Sequence, residues 1–342
     1  MRKILIYLFL IILSVFLIPI LFTMQFNISN INVANANNIN AEQVPVVEQA
    51  SPETEDYTYK EYGTIKLFHE KTGEVEELKI DEYLYGVVSA EMPAYFELEA
   101  LKAQAIVART YTIYKIINNQ GKHEGADICD NSACCQAWIT KEDRLARWEE
   151  SNREDYWNRI VTAVDSTAGK IITYEGKPIN AFFHSNSGGS TEVPLNVWGG
   201  SGYPYLQVVE TAGEDAYSQY NSEVELTKAE VIEKIKATHT EIEIDFSAEN
   251  AIQILERTES GRIKTVKFGN VNLSGVEART IFGLRSANFT VEILEDKIKF
   301  TVIGYGHGVG MSQTGADALA KQGSNFEEII KHFYVGVEIA NI

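Results

Sequence analysis

"SAEMPAYFELEALKAQAIVARTY", Ser89 to Tyr111, decides how the rest of this sequence is read. Beyond Pro93, the residues Leu98, Leu101, Ala105, Ala108 and Thr112 recur at helical spacing and predict a long buried helix. Ahead of it, Asp81 is expected to cap a short helix, "EYLYGVV". Glu91 falls in the break between the two, flanked by Ala90, Met92 and Pro93. An acid in such company loses water, and desolvation raises a carboxyl pKa until the group keeps its proton near neutrality and can give it to a leaving oxygen. The start of the following helix acts the other way, because its partial positive charge favours the ionised form. From these residues alone, a satisfied structural glutamate is the better reading.

Working outward, "TIKLFH" and "EVEELKI" read as paired strands, and "KEDRLARWEE" and "EDYWNRIVTAVDS" as helices. "KIITYEGKPINAFFH" reads as a hairpin turning at Glu175 and Gly176. Between 220 and 300 lie a polar helix, "TKAEVIEKIKAT", the strands "IKTVKFG", "FTVEIL" and "KIKFTVI", and a short helix near "GVEARTIFGL", a set able to form a second lobe. No internal repeat emerges. The expected class is α+β: a mixed α/β domain over 57–342, with a cleft and a second lobe at 220–300.

The N-terminus, "MRKILIYLFLIILSVFLIPILFTM", is uncharged from Ile4 to Met24, long enough at helical rise to cross a hydrocarbon core of about 30 Å. Arg2 and Lys3 hold that end in the cytoplasm. Residues 1–24 are therefore expected to be a single-pass anchor; a cleaved signal peptide ending at "ANA", Ala34 to Ala36, is the rival reading. Residues 25–56, rich in Asn and then acidic, read as a flexible tether, which leaves 57–342 outside the cytoplasm. The formal charge of -18, from 30 basic and 48 acidic residues, argues against nucleic acid or an anionic lipid surface as main partner. A neutral or cationic polymer suits it better.

All three cysteines, Cys129, Cys134 and Cys135, lie in one segment with His123 ahead of them. Three thiolates and an imidazole make a complete tetrahedral shell, so one structural zinc ion per chain is the preferred reading; one disulfide with a leftover thiol is the alternative. "HEGAD" is no zinc-protease helix, because position 127 is Asp. His184 and His307 lie in glycine-bearing loops where a hydrogen-bonded or substrate-touching histidine is commoner than a ligand. The glycines at 304, 306, 308 and 310 lack the "GK[ST]" of a phosphate loop. On the long helix Lys102 and Arg109 are two turns apart on one face, for which ordinary salt bridges are an adequate account.

The ordered runs "VVSAEMPAYFELEALKAQAIVARTY", "AFFHSNSGGSTE", "VWGGSGYPYLQVVE" and "GYGHGVGMSQTGADALAKQGSNFEEIIKHFYVGVEI" resemble the stage II sporulation protein D family, shared with the amidase-enhancer proteins. The resemblance covers about Gly63 to the C-terminus and includes the anchor. It implies a lytic transglycosylase that cuts peptidoglycan between N-acetylmuramic acid and N-acetylglucosamine, leaving 1,6-anhydro ends, during engulfment in endospore formation. Glu91 falls on the family's catalytic glutamate. Lys102, Arg109, His184, Ser187, Tyr203, Tyr205, His307 and Gln313 are then expected to orient or line the substrate. Relatives carry a metal cluster after the long helix, with a histidine where this chain has Cys134. Implied partners are glycan strands stripped of stem peptides, the amidase stage II sporulation protein P and the membrane protein stage II sporulation protein M, at the mother-cell membrane. A non-catalytic, glycan-binding activator of a cell-wall amidase is the alternative.

Overall fold

The computed structural model describes residues 63–342 except 119–122, 124 and 201. The expected anchor and tether lie outside the described residues; among those described, no helix is long and apolar enough to cross a membrane. The class is mixed α/β, with helices and several small sheets.

The chain opens with the expected hairpin, β1 (Thr64–His69) against β2 (Glu74–Lys79), in a register running from Thr64 opposite Lys79 to His69 opposite Glu74. α1 (Ile80–Glu91) follows at once. Asp81 does not cap it: the N-cap is Lys79, with no side-chain cap, and Asp81 pairs instead with Arg109 at 3.2 Å. The next helix, α2 (Leu98–Ile117), is the axis of the molecule. It is buried on nearly every side, so its apolar residues form no stripe, and alanines at 100, 103, 105 and 108 let neighbours approach closely. Its first turn has no side-chain cap of its own; the buried Asp317 carboxylate accepts the Glu97 N–H at 2.6 Å instead.

After α2 the chain forms β3 (Ile128–Cys129), which lies parallel to β1 and ties the cysteine segment to that hairpin. α3 (Lys141–Arg147) is capped by the Thr140 hydroxyl, and α4 (Arg153–Asp165) runs alongside α2. β4 (Lys170–Tyr174) turns into β5 (Lys177–Pro178) through Glu175 and Gly176 as expected, both at positive φ, 51° and 75°. β6 (Phe183–His184) and the short helix α5 (Pro194–Trp198) complete this half.

Residues 221–303 carry a buried cluster of their own around Phe268, Phe282, Phe289 and Phe300. Two three-stranded sheets build it. β7 (Asn221–Thr227) is followed by α6 (Lys228–Lys236), with a Thr227/Glu230 capping box. β8 (Ile252–Arg257), β9 (Ile263–Phe268) and β10 (Val271–Ser274) make one sheet, and α7 (Gly275–Phe282) leaves it through a Ser274/Glu277 capping box. β11 (Phe289–Ile293) and β12 (Lys297–Ile303) pair beside β7 in the other. The chain then returns to the first cluster through β13 (Met311–Ser312), α8 (Gln313–Lys321) and α9 (Phe326–Phe333), which pack on α2, and ends as β14 (Glu338–Asn341) along β4.

Candidate active site

Glu91 is the last residue of α1, where the backbone leaves the helix at an extended Met92. The turn that follows is pinned by Arg159, which donates to the carbonyls of Ala94 and Phe96 at 2.9 and 2.5 Å. One carboxyl oxygen of Glu91 accepts the Ala137 N–H at 2.7 Å, and the other accepts the Gln313 amide at 3.2 Å. Burial nevertheless dominates and pushes the pKa above the ordinary glutamate value, against the pull of those two donors. Helix ends act on it in both directions: Glu91 ends α1 at its partially negative terminus, while Gln313, which bonds it, opens α8 at a partially positive one.

Two grooves meet at this carboxyl. One, about 480 Å³, runs past Tyr95, Arg144, Arg147, Trp148 and Tyr156. The other, about 610 Å³, runs between Cys134 and Cys135 on one side and His184, Trp198, Tyr305 and His307 on the other. Glu91, Ser185 and Gln313 line both, so the acid stands at the middle of a trough suited to an extended polymer. Tyr95 (63% exposed), Trp198 (51%) and Tyr305 (43%) stand exposed along it, with the Arg285 guanidinium over the Tyr305 ring at 5.0 Å.

Gln313 is placed by a buried carboxylate that sequence reading missed. Glu214 accepts from Ser312 and Thr314, the two neighbours of Gln313, and from Ser187, Gly189 and Thr211. Burial by itself would raise its pKa; these donors outweigh burial and hold it below the ordinary value. The same segment rests on the parallel pair β6 and β13, with Met311 opposite Phe183 and Ser312 opposite His184. The glycines at 304, 306, 308 and 310 all have positive φ and crowd this seam: a Cβ on Gly310 would meet the Phe182 carbonyl, and one on Gly306 the His184 side chain. Their pattern is packing, not phosphate binding.

The expected site residues fare unequally. Gln313, His184 and His307 line the trough. Burial lowers the pKa of both histidines, His184 to about 3, so both imidazoles are neutral; His184 Nδ1 donates to the Val309 carbonyl and His307 Nδ1 accepts the Val309 N–H. Lys102 and Arg109 do not reach the trough. Lys102 pairs with Glu99 at 2.7 Å, and Arg109 is wholly buried, donating to the carbonyls of Thr167, Lys170 and Val164 and so fastening α2 to the end of α4. Ser187 is spent on Glu214 and Thr211. Tyr205 is buried, its hydroxyl accepting the Asn180 N–H, and the half-buried Tyr203 sits edge-on to Phe182 and lines neither groove. Aromatic stacking positions were legible as residue types only; which tyrosines face water is a tertiary outcome.

The cysteine segment forms one flank of the trough. The ligand atoms of His123, Cys129 and Cys134 all lie within 4.8 Å of one another, and the Cys134 and Cys135 sulfurs are 3.8 Å apart. That spacing equals the edge of a tetrahedron with metal–sulfur bonds of about 2.3 Å, roughly 3.8 Å. All three cysteines are free thiols. His123 stacks on Phe68, and its Nε2 is buried without a hydrogen-bond partner among the described residues. An orphaned imidazole nitrogen among clustered thiols fits zinc. The segment continues to Gln136, whose amide donates to Tyr83 and Thr112 hydroxyls, and to Ala137, whose N–H reaches Glu91.

A family model described as "Stage II sporulation protein" matches residues 68–174, and a domain of unknown function matches 205–310. The chain is 34% identical to stage II sporulation protein D of Bacillus subtilis (strain 168), over 81% of this chain and 79% of that one. It is 33% identical to its counterpart in Bacillus amyloliquefaciens, over 81% and 78%. An amidase enhancer of Bacillus subtilis is 30% identical over 75% of this chain and 40% of its own length.

Proposed function

The chain belongs to the stage II sporulation protein D family, and from that premise we propose that it is a peptidoglycan lytic transglycosylase acting in engulfment. The observation that carries the reading is a single shielded carboxyl, Glu91, at the junction of two open grooves. Protonated Glu91 gives its proton to the oxygen between N-acetylmuramic acid and N-acetylglucosamine as the C1–O bond breaks. The Ala137 N–H and the Gln313 amide then stabilise the carboxylate just formed. That carboxylate takes the proton from the muramic C6 hydroxyl while its oxygen bonds to C1, closing the 1,6-anhydro ring. Atoms balance without water, and one carboxyl serves both steps. Hydrolysis would need a second carboxylate across the bond; Glu149 is an exposed acid in the first groove and the natural suspect.

We assign His123, Cys129, Cys134 and Cys135 to one structural zinc ion, which when bound would cross-link the segment that presents Ala137 to Glu91. The N-terminal run would anchor the enzyme in the membrane with this domain outside, beside a partner amidase. The likeness to an amidase enhancer supports a second reading, a glycan-binding activator without cleavage of its own.

One assay separates them. Purified full-length protein is incubated with amidase-treated peptidoglycan and the fragments are weighed by mass spectrometry. Anhydro ends, one water lighter than reducing ends, are expected, and Glu91→Gln should yield none. Reducing ends would turn attention to Glu149 and hydrolysis; no fragments at all would favour the activator.

A further inference from the structure

The groove flanked by the cysteines has an unusual charge for this protein. On a chain of net charge -18, its lining holds two cations, Lys115 and Arg279, and a single carboxyl, Glu91, whose pKa burial raises. Lys115 lies over the Tyr111 ring at 5.3 Å. Arg279 is differently placed. It projects from α7, is largely buried, and its guanidinium has no hydrogen bond or ion pair among the described residues. The charged and titratable groups that feel it are His184, His307, Arg262 and the Tyr305 hydroxyl, none of them a carboxylate. Partial burial of an uncompensated guanidinium is costly unless an anion meets it. Trp198 and Tyr305 stand exposed in the same groove, where a flat apolar face suits a sugar ring. A free cation beside exposed aromatic rings is the chemistry of an acidic sugar.

Resting on the glycan-cleaving reading above, we propose that Arg279 recognises the free lactyl carboxylate of an N-acetylmuramic acid bound in this groove and makes the enzyme selective for strands whose lactyl groups carry no peptide. A guanidinium matches a carboxylate with two parallel hydrogen bonds. A stem peptide turns that carboxylate into an amide, so the charge is lost and the fork meets an N–H it cannot accept.

The test compares strands with free lactyl carboxylates and the same strands capped as methylamides. Wild-type full-length protein should cleave and bind the free strands roughly 10–100-fold better, as expected for loss of a charge-assisted pair. Arg279→Gln should bring the ratio close to one, and Arg279→Lys should restore part of it. A wild-type ratio near one overturns the proposal, as does a ratio that survives in Arg279→Gln with an unchanged melting temperature. Should Arg279→Gln fail to fold, the wild-type ratio together with Arg279→Lys decides. Should wild type cleave neither substrate, the transglycosylase reading fails, and calorimetric binding of free against capped strands still judges Arg279.

Discussion

Two glutamates, Glu91 half-buried and Glu214 buried, pull stability in opposite directions with pH. Glu91 has its pKa raised by burial, so between the ordinary glutamate value and its own the folded state holds more protons than the unfolded chain, and stability falls as pH rises through that window. Glu91→Gln removes this penalty, and the Gln313 amide can turn to offer its oxygen to the new donor. The variant should melt higher than wild type at pH 8 and at the same temperature near pH 4, while cleavage falls by roughly 10²–10⁴. A thermal-shift series across pH checks the first, and coincident curves at both ends would remove Glu91 as a desolvated acid. Glu214 is the reverse case. Its donors hold it ionised, so its contribution is present above the ordinary glutamate value and is lost as pH falls through its depressed pKa. Glu214→Gln should cost about 2–3 kcal/mol in urea unfolding near neutrality and less in acid. It should also slow cleavage by loosening Ser312 and Thr314 around Gln313.

At the scale of elements, the seam between β6 and β13 and the cysteine segment do the positioning, each delivering one donor to Glu91. Gly310 has φ 73° and abuts the Phe182 carbonyl, so Gly310→Ala combines backbone strain with displacement of the seam. It should lose about 2–3 kcal/mol and much of the activity. Gly73→Ala, at φ 76° with open space around it, should cost only about 1 kcal/mol, measured in parallel. For the other arm, Cys129→Ser should lower both zinc content by elemental analysis and melting temperature, because a metal clip within one chain contributes folding free energy. Equal metal in mutant and wild type would defeat the zinc assignment. The elements themselves were largely readable: hairpin and long helix follow from period, although the one expected cap, Asp81, pairs with Arg109 instead. The short strands β3, β6 and β13 were not, since two residues carry no period and exist only through their partners.

The whole molecule is acidic, yet its trough carries four cations, Lys115, Arg144, Arg147 and Arg279, against two carboxyls, Glu91 and Glu149. Anionic strands should therefore bind more weakly as salt rises from about 50 to 500 mM, while uncharged N-acetylglucosamine oligomers change little, since screening acts on the charge term alone. Calorimetry at the two salt levels distinguishes them. The sequence alone determined the class of fold, the helix on which the core is built, the place of a lone acid in the break before that helix and the cysteine–histidine donor set, because each is written in local spacing and residue chemistry. Only the tertiary structure decided which side chains surround that acid. Gln313 lies 222 residues from Glu91, Arg109 turned inward to carbonyls, and Tyr95, Trp198 and Tyr305, rather than Tyr203 and Tyr205, stayed exposed to solvent. Exposure and contact at that range follow from how helices and sheets close over one another, and no local pattern encodes the outcome of that packing.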